Sequence, residues 1–248
     1  MQIRTATYQD VPAMASLVLA ALANEHPWST LVSPRLAAQA QSVAYATDLL
    51  ASLIHDASVL VVVLELSDAA KPSHQGPLLV SVSVWDLAYL SSSRPSSCYT
   101  AAVSAAKFSS PTCHGLVSLA TTYLAGNMHR LPQLHLFLAL VATRPEFGRR
   151  GFGKMLVVRA LEIALAHTKL RQVSVGVLAG PTAYVLFSGL GFRDMDAVDF
   201  PGDAASADSS INHGSYLKTM VLDSGRKRLS KERRPDWSLL RRLVNAWT

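Results

Sequence analysis

The stretch Leu136–Lys154 constrains this chain most: Leu-Phe-Leu-Ala-Leu-Val-Ala-Thr-Arg-Pro-Glu-Phe-Gly-Arg-Arg-Gly-Phe-Gly-Lys. Its apolar run predicts a buried strand over Leu134–Thr143, which Pro145 ends, and the following segment predicts a long helix over Gly151–Ala166. Between them lies a turn rich in glycine and arginine. Glycines remove the Cβ atoms that would hold a ligand away from the backbone. The first amides of a helix lack internal partners, and the helix dipole adds partial positive charge there. With Arg149, Arg150 and Lys154 nearby, these features make a site for a pyrophosphate. By itself the turn fits equally well a tight strand-to-helix connection with solvated arginines.

The flanking segments predict an α/β domain. Ile3–Thr7 alternates as a strand. Asp10 reads as a helix N-cap with Pro12 in the first turn, followed by Met14, Leu17, Val18 and Ala21 at helical spacing. Leu36–His55 predicts a second helix, Val59–Leu66 a buried strand and Leu78–Trp85 its hairpin partner. After the long helix come a strand over Gln172–Val177, a short helix over Thr182–Ser188, a strand from Gly191 and a last strand over Tyr216–Leu222. Residues 89–132 are rich in Ser, Ala and Thr and read as an insertion with helices over Thr100–Lys107 and Leu116–Leu124. The expected organisation is one domain over 1–223 and a basic tail over 224–248.

Charge enters the argument only through its location. Gly225–Thr248 holds eight basic and two acidic residues, which accounts for the whole net charge of +6. A neutral body gives no reason to expect a nucleic-acid partner. Arg226–Arg234 reads either as a solvated linker or as a localisation or anion-binding run, and Trp237–Trp247 as a short amphipathic helix. No apolar run is long enough to span a bilayer, and no secretory signal is visible. Cys98 and Cys113 have no metal-ligand spacing. A cytoplasmic protein without disulfides is the expectation, with a nuclear location left open by the basic run.

Two motifs carry a resemblance. Gly148-Arg149-Arg150-Gly151-Phe152-Gly153 resembles motif A of the Gcn5-related N-acetyltransferases, Gln/Arg-x-x-Gly-x-Gly/Ala. Gly151 and Gly153 stand at the family's glycine positions, whereas Gly148 replaces its Gln or Arg. Ala183–Phe192 resembles the family's motif B, Ala-x-x-Leu-Tyr-x-x-x-Gly-Phe, with Ala183, Leu186, Gly191 and Phe192 in place. The opening Ile3–Thr7 and Asp10 also fit, and Trp85 after Val80–Val84 is similar to fungal-type members. Apart from the insertion, the resemblance covers most of Met1–Leu222.

That resemblance implies a mixed, mostly antiparallel central sheet flanked by helices, with an insertion before the cofactor-binding strand. It implies acetyl-CoA or another acyl-CoA as cosubstrate and no metal. Main-chain groups of Val141, Ala142 and Thr143 would meet the pantetheine arm. The turn residues Gly148, Arg149, Arg150, Gly151, Phe152, Gly153 and Lys154 would hold the pyrophosphate. The fourth and fifth strands would splay to admit the arm, with Phe187 beside it.

Acyl transfer to an amine needs a base for the ammonium and an acid for the leaving thiolate. The family's acid is a tyrosine where this chain has Phe187. Tyr184, one turn earlier on the same helical face, is either the substitute or a packing residue. The glutamate of some relatives falls on Phe137. His135 shares its strand face and is either a base or a solvent-facing strand-end histidine. Glu25, His26, Tyr45 and Asp48 lie in segments that line the acceptor site in the family. Val80–Val84 and Pro201–Ser215 are poor in charge, and Trp28, Tyr45, Trp85 and Tyr89 are candidate aromatic walls, or else core. The expected acceptor is a small-molecule amine, hydrophobic or aromatic. The rival readings are a protein or histone acetyltransferase and a CoA-binding protein with lost or repurposed catalysis. A homodimer remains open.

Overall fold

The computed structural model describes residues 1–25, 38–66, 78–87, 136–168, 173–199 and 216–223. The segments 89–132, 201–215 and 224–248, and with them the expected insertion helices and tail helix, lie outside the described residues, as do His26, Trp28, Tyr89 and His135.

Among the described residues seven strands form one sheet in the order β1-β2-β3-β4-β5-β7-β6. They are β1 (Gln2–Thr5), β2 (Val59–Leu66), β3 (Leu78–Asp86), β4 (Leu136–Thr143), β5 (Ser174–Ala179), β6 (Arg193–Asp199) and β7 (Tyr216–Asp223). Every pairing is antiparallel except that of β4 with β5. The helices are α1 (Val11–Leu22), α2 (Ala40–His55), α3 (Phe152–Thr168) and α4 (Pro181–Gly189). The expected mixed, mostly antiparallel sheet between helices is the observed architecture. Among the described residues, no helix is long and apolar enough to cross a membrane.

The middle of the sheet is buried on both faces, which is why β2 reads as an unbroken apolar run. Leu60, Val62 and Leu64 join the core with α3 and α4, while Val61 and Val63 join the core with α1 and α2. Met14, Leu17 and Val18 of α1 face that second core, as their helical spacing predicts.

Asp10 departs from expectation. It precedes α1, but its side chain does not cap that helix. Both its oxygens bind the Arg4 guanidinium at 2.7 and 2.8 Å, and it also accepts the Thr7 backbone N–H and hydroxyl. Arg4 opposes Val63 in the β1/β2 ladder, so it shares a face with Glu65, to which its Nε donates at 3.0 Å. The cluster ties the first strand to the entry of α1. The hydrogen bond from Arg4 is the largest cause holding the Asp10 carboxyl down, from 3.8 to about 2.

With a folded-state pKa below the unfolded one, the Asp10 carboxylate stabilises the fold above pH 4. That stabilisation is lost as pH falls from about 4 toward 2. The shift corresponds to about 2 kcal/mol, and the side chain is only 11% exposed. Asp10→Asn is expected to lose about that much at pH 7 in urea unfolding. The deficit against the unsubstituted protein should shrink between pH 4 and pH 2. A deficit independent of pH would reject the assignment.

Candidate active site

The parallel pairing of β4 with β5 is short. Leu136, Phe137 and Leu138 of β4 register with Val175, Gly176 and Val177 of β5, and the pairing stops there although both strands continue. On the other side, β4 stays paired with β3 through Thr143. A register shift in that pairing sets Val84 against Leu140 and Trp85 against Leu138, so Ala139 is the extra residue of a bulge. A bulge bends its strand and raises the local twist, which carries the end of β4 away from β5.

The ladder fixes which backbone groups face the gap. Arg144 N–H donates to Val80 O at 2.9 Å. Hydrogen-bonded residues alternate in an antiparallel pair, so Ala142 and Arg144 direct their main-chain groups at β3. Val141 and Thr143 direct theirs into the gap. Of the three residues expected to meet the cofactor arm through the main chain, two face the gap between β4 and β5. Ala142 does not, and its carbonyl accepts the Ser81 hydroxyl at 2.8 Å.

At the open end of β4 the chain makes a short 3-10 turn, Pro145–Phe147, and then the glycine-rich turn. Arg149 (φ 61°) and Gly151 (φ 83°) are left-handed, with Arg150 between them at negative φ. Such alternation points successive N–H groups to one side and forms an anion-binding concavity. The first helical bond of α3 is Met155 N–H to Gly151 O, 3.0 Å. The amides of Phe152, Gly153 and Lys154 precede it and have no backbone partner among the described residues. Gly148 is tight, since a Cβ there would lie 3.1 Å from Pro145 O. A Cβ on Gly153 would lie 3.2 Å from Thr143 Oγ1 and about 4 Å from Leu186 and Val141. That glycine therefore lets the first turn of α3 sit against both the end of β4 and α4.

The turn's cations differ in setting. Arg149 and Arg150 are exposed and Lys154 is half-buried. The Arg150 guanidinium lies 5.4 Å from the Phe147 ring centre, and Phe147 packs edge-on to Phe152. Among the described residues none of the three cations has an acidic partner. Arg144 is used structurally, its Nε donating to Leu79 O at 2.7 Å.

Motif B acquires a mechanical explanation. Gly191 sits at φ 89°, Gly191 N–H donates to Ser188 O, and Phe192 N–H donates to Phe187 O, both at 3.0 Å. This is a Schellman stop for α4, with its customary apolar contact supplied by the Phe187 and Phe192 rings, 5.1 Å apart. Phe187 is 2% exposed and spends its ring on that contact. Tyr184 is half-buried against the same core, and its hydroxyl has no partner among the described residues. Trp85 is 0% exposed and its Nε1–H donates to Ser83 Oγ at 3.1 Å, so it belongs to the core and not to an acceptor wall. Val80–Val84 is likewise buried throughout. Tyr45 lies half-buried on α2 with exposed Asp48 one turn later. No group of three metal-ligating side chains occurs among the described residues.

The family model described as FR47-like protein matches residues 113–200, a span holding β4, the turn, α3, β5 and α4. Solved structures of similar shape include arylalkylamine N-acetyltransferase 2 from Aedes aegypti, with TM-score 0.61 and 13% identity over 90% of this chain and 99% of that one. A mutant agmatine N-acetyltransferase in its apo form has TM-score 0.54 and 14% identity over 90% and 98%. An acetyltransferase of the GNAT family from Streptococcus pneumoniae has TM-score 0.50 and 10% identity over 90% and 99%. No curated protein matches the chain.

Proposed function

We propose that this chain, which has the fold of the Gcn5-related N-acetyltransferases, transfers an acyl group, acetyl in the first instance, from an acyl-CoA to a small-molecule amine. The observation that carries the reading is the parallel pair that opens after Leu138 and Val177 with the free amides of α3 at its mouth. Gly148–Lys154 would hold the pyrophosphate through backbone N–H groups, with Arg149 and Lys154 adding charge. The gap edge of Val141 and Thr143 would pair with the arm as a short strand pairs with a sheet edge. No metal is required for this chemistry.

The amine attacks the thioester carbonyl, and the thiolate leaves with a proton. Buried Phe187 carries no proton to give, which leaves Tyr184 or water. Among the described residues the Tyr184 hydroxyl has no protein partner, and we assign it as the acid. The fold neighbours named above act on arylalkylamine and agmatine, which favours an amine acceptor. Low charge on Pro201–Ser215, which holds only Asp203 and Asp208, favours an apolar one.

Release of free thiol from acetyl-CoA, measured across an acceptor panel, tests this. Turnover of arylalkylamines is expected, with little on lysine-rich peptides or polyamines. Tyr184→Phe should lower kcat about tenfold or more, with the acetyl-CoA KM unchanged. Turnover of a lysine-rich peptide alone would point to the protein-acetyltransferase reading. CoA binding without any turnover would point to lost catalysis. Full turnover in Tyr184→Phe would hand the proton to water.

A further inference from the structure

We propose that Ser81 is a positioning residue that sets the polarity of the ligand-facing edge of β4 by acting through Thr143. The proposal rests on the acyl-CoA reading above. Ser81 lies on β3, 0% exposed, and cannot touch a ligand. Its Oγ is 2.8 Å from Ala142 O and 2.8 Å from Thr143 Oγ1. Proton counting fixes the direction of both bonds. A carbonyl oxygen can only accept, so the single Ser81 proton goes to Ala142 O. Thr143 must then donate its own proton to Ser81 Oγ.

The consequence falls on Thr143, which is half-exposed at the end of β4 where β5 has departed. Its hydroxyl proton is committed to Ser81, so to any further partner Oγ1 offers lone pairs only. The backbone N–H groups of Val141 and Thr143 provide donors on the same edge. A ligand arm with alternating amide N–H and C=O groups, such as pantetheine, matches that sequence of donors and acceptors. Gly153 keeps the arrangement intact, because a side chain there would press on the hydroxyl that Ser81 holds. Without Ser81 the Thr143 hydroxyl turns freely, and the arm must order it on binding.

Calorimetry on the full chain tests this with two probes: CoA, and the 3′-phosphate of ADP, which has the pyrophosphate but no arm. Ser81→Ala should raise the CoA Kd about three- to tenfold, the worth of one hydrogen bond. The nucleotide Kd should stay within about twofold, because its contacts lie in the turn and not on β4. Thr143→Val, which keeps shape and removes the hydroxyl, should match Ser81→Ala, and the double variant should be no worse than either. An unchanged CoA Kd in Ser81→Ala or in Thr143→Val overturns the proposal. Equal weakening of both probes also overturns it, by showing a merely structural effect. If the unsubstituted protein binds neither probe, the acyl-CoA reading itself fails and this inference falls with it.

Discussion

Gly151→Asp is expected to abolish measurable CoA binding, with a loss of more than about a hundredfold, or about 3 kcal/mol. Two effects combine. Gly151 sits at φ 83°, where a side chain costs about 1–2 kcal/mol, although a Cβ there meets no atom within 4 Å. The fold should therefore survive with a modest fall in melting temperature. The larger effect is electrostatic. A carboxylate beside the free amides of Phe152–Lys154 would occupy the anion's place and repel the pyrophosphate. Gly151→Asn separates the two, because asparagine tolerates a left-handed backbone and carries no charge. It should lose roughly tenfold. Calorimetry alongside thermal melting measures both effects. A folded Gly151→Asp protein with unchanged affinity would remove the turn from the site.

Trp85→Ala should be the most destabilising single substitution among the described residues. The indole is fully buried in the core shared by the sheet, α3 and α4. Its removal leaves a cavity and strands the buried Ser83 hydroxyl that accepts from Nε1. Together these cost about 3–5 kcal/mol. For a chain of this size that is a fall in melting temperature of about 10 °C. Trp85→Phe keeps most of the volume but loses the donor, and should cost about 1–2 kcal/mol. If Trp85 were an exposed acceptor wall, either substitution would instead change amine KM and leave the melt unmoved.

The segments legible in the sequence are those whose signals are local. The Pro and glycine punctuation after β4 marks the turn, and Gly191-Phe192 marks the end of α4 because a Schellman stop needs a left-handed residue followed by an apolar one. Val59–Leu66 reads correctly because a doubly buried strand has no alternation to misread. The unread features depend on pairing between distant segments. The Val-Ser-Val-Ser-Val pattern of β3 looks like a strand with one wet face, yet Ser81 and Ser83 are both fully buried. Two serines inside a β-branched run were the available signal. The Ala139 bulge depends on the register of β4 against β3, which no spacing along the chain encodes. Asp10 had the sequence context of an N-cap, but Arg4 of β1 captures it across the turn. Phe187 stands at the motif's tyrosine position, and the ring it packs against, Phe192, lies five residues ahead.

Backbone hydrogen exchange on the intact protein, with and without CoA, tests the central claim most directly. CoA held between the splayed strands should slow exchange at the amides of Val141 and Thr143 and at Gly151–Lys154, which have no backbone partner among the described residues. The amides of β1 and β2, on the far side of the sheet, should be unaffected. Saturating CoA that leaves Val141, Thr143 and the first turn of α3 exchanging at their original rates would contradict the account.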